Sequence, residues 1–198
     1  SLAGLTLNGE PVSGPLVKLV EAETYTPQAI GNVGDRPVDI TLTTLGVPEV
    51  APEAGGYGYA ISRRYYDMDG NEVSLKGIET GTRLVTVISV QPFEKGEARL
   101  MINDPLPAGL EIDNPNLLQS GDVRSLEWLD PAYARYTEFR ADRFLAAVDW
   151  RSDTAFNLAY IVRAVSPGGY HHPAASVEDM YRPQYRARSE TGRLRVTE

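Results

Sequence analysis

The chain has 198 residues, a net charge of −8 and a pI near 4.9. That length suits one large domain or two small ones, and the acidic balance excludes a protein that neutralises nucleic-acid phosphates with a basic stripe. The absence of cysteine excludes a disulfide scaffold and a cysteine nucleophile, and no apolar run approaches the ~18 residues of a membrane helix.

In chain order, the opening SLAGLTLNGE lacks a basic region followed by an apolar core. It does not read as a signal peptide, and without a starting Met it reads as a piece of a longer chain. Val38, Ile40 and Leu42 alternate with Asp39, Thr41 and Thr43, which predicts a half-buried strand. The Pro- and Gly-rich VPEVAPEAGG marks a boundary near Pro48–Gly56. Ile61–Tyr66 and Val73–Leu75 are predicted strands, joined at Asp67-Met68-Asp69-Gly70-Asn71. That stretch has the alternating acids of a calcium loop. It lacks the closing Glu and the flanking helices, and so reads as a hairpin turn.

RLVTVISV, with Leu84, Val85, Val87, Ile88 and Val90, is the best strand in the sequence, a run rich in β-branched residues. Ala98–Ile102, Phe144–Val148 and Phe156–Val165 follow as strands. Turn signals separate them at Glu94-Lys95-Gly96, Pro107-Ala108-Gly109, Ser166-Pro167-Gly168-Gly169 and Thr191-Gly192. Asn116–Tyr136, which carries Trp128, has no alternation and is predicted to be a long loop with one helical turn near Ser125–Leu129. The tail bears Arg182, Arg186, Arg188, Arg193 and Arg195 diluted by Ser, Glu and Thr, the pattern of a solvated strand-turn-strand. Strands every ten or so residues without a helical period predict an all-β antiparallel sandwich.

Chemistry is hard to find. His171 and His172 are the only histidines, and adjacent residues on a strand face opposite ways, so they do not chelate one ion together. Glu178 and Asp179 have the same difficulty. GxSxG and SxxK are absent, and Ser62, Ser74, Ser89, Ser120 and Ser125 have no base beside them. Gly55-Gly56-Tyr57-Gly58 leads into a strand, not a phosphate-binding helix. No catalytic residue, metal or cofactor is therefore expected. A non-enzymatic structural or interaction module is.

Six stretches taken in order resemble the C-terminal region of bacterial alpha-2-macroglobulin-like proteins: LTLNGEPVSGPL, NVGDRPVDITLTTLGVP, ISRRYYDMDGNEV, INDPLPAGLEIDNP, EFRADRF and YHHPAASVEDMYRPQYRAR. The resemblance implies a returning half of a CUB-like β domain over residues 1–53. It further implies a terminal macroglobulin-type, Ig-like sandwich over 57–198. Members of that family are periplasmic protease traps, often lipoproteins of the inner membrane. Many carry a thioester in a separate helical domain, against which the terminal domain leans. Carried over by motif, Met180 and Tyr181 are the interface residues that screen the thioester, with Asp179 and Arg182 flanking them as supporting residues. The implied partners are other domains of the same parent chain and, through the full-length protein, target proteases. Membrane contact is implied only through a lipid anchor on the parent. A rival reading is a carbohydrate- or ligand-binding sandwich using Tyr57, Tyr59, Trp128 and Trp150. A third is a surface adhesion module, which the lack of internal repeats disfavours.

Overall fold

The computed structural model describes residues 4–14, 17–19, 27–41, 43, 50–113, 132 and 134–198. Every regular element among them is a β-strand, and the chain divides into two units, Ser1–Val47 and Pro48–Glu198.

The first unit contains an antiparallel sheet of three short strands in the order β2 (Glu10–Pro11), β1 (Leu5–Leu7), β3 (Ile30–Asn32). The strand predicted at Val38–Leu42 is not formed over 38–41, and Leu42 lies outside the described residues. Ile40 is exposed. An alternating pattern makes a strand only where a sheet supplies partners for both its backbone and its apolar face.

The second unit is the antiparallel sandwich. One sheet has four strands: β5 (Tyr59–Tyr66), β7 (Arg83–Pro92), β12 (Phe156–Ala164) and β9 (Leu110–Ile112). The other has six: β10 (Tyr136–Phe139), β11 (Arg143–Trp150), β8 (Ala98–Pro105), β14 (Ser176–Asp179), β15 (Arg186–Arg188) and β4 (Gly55–Tyr57). A small third sheet joins β13 (Gly168–His172), β16 (Gly192–Thr197) and β6 (Ile78–Glu79). The predicted strands at Leu84–Val90, Ala98–Ile102, Phe144–Val148 and Phe156–Val165 are β7, β8, β11 and β12.

One core runs between the large sheets. Leu84, Ile88, Val90, Leu158 and Val162 from one side meet Leu100, Ile102, Ala146, Val148 and Val177 from the other, and Leu194 and Val196 of the small sheet close an end. Each fully buried aliphatic side chain of this kind contributes roughly 1.5–3 kcal/mol. β7 is apolar on both faces. Its outward Val85 and Val87 pack with Ile161 in a second cluster beside Tyr66 and Met68, which is why RLVTVISV reads as a run and not as an alternation.

The core also holds a polar network. Arg63 and Asp104 form an ion pair with side chains only 4% and 0% exposed. The Tyr160 hydroxyl donates to Asp104 Oδ2 at 2.7 Å, and Arg63 Nη2 donates to the Pro173 carbonyl at 2.6 Å. Burial pushes the Asp104 carboxyl up, while the Arg63 charge and the Tyr160 hydroxyl oppose the rise.

The Asp67 stretch is a turn that consumes its own acid. Asp67 Oδ1 accepts the backbone N–H groups of Asp69 at 3.0 Å and Asn71 at 2.8 Å. The hairpin closes with one bridge, Tyr66 to Glu72, and the predicted strand Val73–Leu75 does not form. A single ladder hydrogen bond, from the Val73 N–H to the Tyr65 carbonyl, continues it. Of the predicted loop Asn116–Tyr136, residues 116–131 and 133 lie outside the described residues, Trp128 among them. Its end is corrected, because Tyr136 opens β10, which pairs with β11 from Tyr136↔Ala147 to Phe139↔Phe144.

Candidate functional site

The twin histidines sit on β13 and face opposite ways. His171 is exposed and His172 is buried. His172 Nε2 shares a hydrogen bond of 2.8 Å with the Tyr65 hydroxyl. Burial, with lesser contributions from the Arg63 and His171 charges, lowers the His172 pKa to about 3. A cleft of about 440 Å³ opens beside it, lined among others by Ile61, Ser62, Arg63, Tyr65, His172 and Glu190. Among the described residues no group of three or more His, Cys, Asp and Glu side chains is placed to hold a metal ion. His172 is a core residue whose hydrogen-bonding capacity toward Tyr65 is already used.

A rigid surface turn follows β14. Val177 and Asp179 point inward and are buried, and the chain then turns back through residues 180–185 into β15. The turn is tied by its backbone, from Asp179 N–H to the Tyr185 carbonyl at 3.0 Å and from Tyr185 N–H to the Arg182 carbonyl at 2.8 Å. The Asp179 carboxylate ties it again. Oδ1 accepts the Tyr181 N–H at 3.0 Å, and Oδ2 accepts Arg182 Nε–H at 2.8 Å. Met180 N–H donates to the Arg99 carbonyl of β8 at 2.9 Å. With the backbone fixed this way, the Met180 and Tyr181 side chains stand out from the surface, 52% and 72% exposed.

An aromatic cluster adjoins the turn. The Arg182 guanidinium lies 4.5 Å from the centre of the Tyr185 ring, and Tyr185 meets Tyr57 edge-on at 4.9 Å. Gly58 makes this possible. Its φ is +77°, and a Cβ there would sit 2.2 Å from Tyr185 Cδ1. At this residue the chain passes from β4 in the six-stranded sheet to β5 in the four-stranded one.

Among the described residues, the aromatics of the carbohydrate-binding reading do not form one exposed row. Tyr57 is exposed but leans on Tyr185, and Tyr59 is buried in the core. Trp150 packs on Phe156 at 4.6 Å, and Trp128 lies outside the described residues. Alternation along β5 sends Tyr59 inward, so consecutive tyrosines in the sequence do not share a platform.

Residues 58–184 match the family model described as the bacterial alpha-2-macroglobulin MG10 domain. The chain belongs to the bacterial alpha-2-macroglobulin family. Alpha-2-macroglobulin of Xylella fastidiosa is 33% identical over 184 residues, which is 89% of this chain and 11% of that protein. The native conformation of Escherichia coli alpha-2-macroglobulin superposes with a TM-score of 0.70 at 33% identity, covering 77% of this chain and 10% of that one. Salmonella alpha-2-macroglobulin reacted with methylamine gives a TM-score of 0.67 at 34% identity, covering 77% and 10%. The chain thus spans about a tenth of the length of these relatives, and it contains a macroglobulin domain of a bacterial alpha-2-macroglobulin.

The motif match named Met180, Tyr181, Asp179 and Arg182, and the structure brings all four into one turn. Sequence reasoning missed Tyr185, and it considered Tyr57 and Gly58 only for a sugar platform and a phosphate loop, not as neighbours of this turn. The available signal was Gly58 between two tyrosines. A glycine there marks a close approach of another side chain as readily as a flexible link.

Proposed function

We propose that this chain is the non-catalytic C-terminal segment of a periplasmic protease trap, in which Met180 and Tyr181 cover the thioester of the parent's helical domain. One observation carries the reading. Two large apolar side chains are held outward by a buried carboxylate on a turn with few degrees of freedom. Exposed apolar groups on a rigid support favour a partner surface over solvent. A thioester is destroyed by water and amines, so an apolar cover protects it until the trap is sprung. Met fills irregular gaps, and Tyr adds a flat apolar body with a polar tip. The Salmonella relative reacted with methylamine supports the presence of an amine-sensitive bond in the family. On this reading residues 1–53 are the returning half of a CUB-like domain, and bait and trap cavity lie elsewhere in the parent. Anchoring to the inner membrane belongs to a lipid at the parent's N-terminus.

The test uses the full-length parent in its native form. The double substitution Met180→Ala, Tyr181→Ala accelerates the release of a free thiol by methylamine by at least about tenfold, the effect of losing roughly 1.4 kcal/mol of protection. An unchanged rate overturns the reading.

A further inference from the structure

Tyr181 is 72% exposed, yet it is not left to rotate freely. Its ring lies beneath a guanidinium from a different strand. Arg99 Cζ sits 5.9 Å from the ring centre, and Arg99 Nη1 donates to the Tyr181 hydroxyl at 3.4 Å. Arg99 is itself held from the far side. Its Nε donates to Asp149 Oδ1 at 2.7 Å and its Nη2 to Asp149 Oδ2 at 3.4 Å, a two-point grip on a planar group. Asp149 takes a further hydrogen bond from Arg135 Nη1 at 3.0 Å. These bonds, from Arg99 first and Arg135 second, lower the Asp149 carboxyl to about 2.

The register fixes the arrangement. Arg99 pairs with Asp149 between β8 and β11, so both side chains leave the same face of the sheet. On the other side of β8, Leu100 pairs with Asp179, which delivers the Met180–Tyr181 turn next to Arg99. Arg135 is anchored by its backbone N–H to the Ala147 carbonyl at 2.9 Å. Three strands therefore converge on one tyrosine ring. As a stability device this chain of exposed charges contributes little. As an orienting device it has the right parts, because a fork held at two points presents a fixed plane to the ring.

We propose that Arg99, oriented by Asp149, is the positioning residue that sets the angle of the Tyr181 ring over the parent's thioester. This rests on the shielding role proposed for Tyr181. Removing the guanidinium leaves the ring in place but free to swing, so the cover opens part of the time.

The test is a double-mutant cycle in the full-length native parent, read as the rate of thiol release by methylamine. In that reaction the amine nitrogen attacks the acyl carbon, the C–S bond breaks and an amide forms. The thiolate leaves and takes up the proton lost by the nitrogen. Arg99→Met is expected to raise the rate about two- to fivefold, while the thermal midpoint stays unchanged. In a Tyr181→Ala background, Arg99→Met is expected to add nothing, because residues acting through one another are non-additive. If Tyr181→Ala accelerates the reaction and Arg99→Met does not, the inference falls and the shielding role stands. It falls equally if Arg99→Met adds its full effect in the Tyr181→Ala background. If Tyr181→Ala leaves the rate unchanged, the shielding role fails and the inference fails with it.

Discussion

The ion pair between Arg63 and Asp104 crosses the sandwich, and breaking it is the sharpest probe of the core. Both side chains are essentially removed from solvent, at 4% and 0% exposure. Asp104→Ala leaves the guanidinium with the Pro173 carbonyl as its remaining partner and strips the Tyr160 hydroxyl of its acceptor. Stranding one member of a buried pair costs about 3–5 kcal/mol. A domain of this size has only about 5–15 kcal/mol of stability in all, so the variant loses a large part of it. The double variant Arg63→Met, Asp104→Asn removes both charges, and its amide oxygen still accepts from Tyr160. It is expected to recover most of the loss, because replacing a buried pair by neutral groups is often close to energetically neutral. Equilibrium urea unfolding followed by tryptophan fluorescence measures both. A cost below about 1 kcal/mol for Asp104→Ala, the range of exposed pairs, refutes the reasoning. A double variant no more stable than the single one does so as well.

Acid sensitivity should trace to His172. Its pKa is lowered from 6.5 to about 3 in the fold, so above pH 6.5 it is neutral in both states and its full contribution is present. As pH falls below 6.5 the unfolded chain takes up a proton that the folded one refuses, and stability drops by about 1.4 kcal/mol per pH unit toward pH 3. His172→Phe should flatten this slope relative to the parent sequence in urea titrations at pH 4 to 6. Tyr65→Phe leaves His172 Nε2 buried without its partner and is expected to cost about 1–3 kcal/mol by the same assay. Gly58→Ala forces a left-handed residue and collides with Tyr185. A loss of at least about 2 kcal/mol, together with displacement of Tyr185 in a crystal structure, is expected. The isolated chain should neither cleave casein nor inhibit trypsin; casein cleavage would count against the non-catalytic reading, and substantial stand-alone inhibition in a chromogenic assay would count against bait and trap cavity lying elsewhere in the parent.

What the sequence disclosed follows physical lines. β7 was legible because it is long, rich in β-branched residues and buried on both faces, and β12 because the apolar residues at 156, 158, 160, 162 and 164 keep a period of two. β8 was truncated at Ile102 because Asn103, Asp104 and Pro105 look like a turn. The strand continues because Arg63 and Tyr160, 41 and 56 residues away, satisfy Asp104. Val38–Leu42 failed in the opposite sense. Its alternation was sound, but a strand requires a neighbour, and local pattern says nothing about one. At the site, Met180 and Tyr181 were nameable only through family resemblance, since residue by residue they are indistinguishable from ordinary strand positions. Asp179 and Arg182 were nameable the same way, as the residues flanking that pair, and the structure joins them through Arg182 Nε–H donating to Asp179 Oδ2 at 2.8 Å. Arg99, 82 residues from Tyr181, was not, because only the registers of β8 with β11 and β14 bring them together.

The docking of Met180 is the most direct point of attack. Hydroxyl-radical footprinting with mass spectrometry reads the oxidation of this one side chain in the 198-residue chain, in the native full-length parent, and in the parent after proteolytic activation. With half its surface open in the chain alone, Met180 should oxidise readily there. It should be strongly protected in the native parent and regain reactivity once the parent has been cleaved. Equal oxidation in the isolated chain and the native parent would contradict the claim that this turn covers another domain.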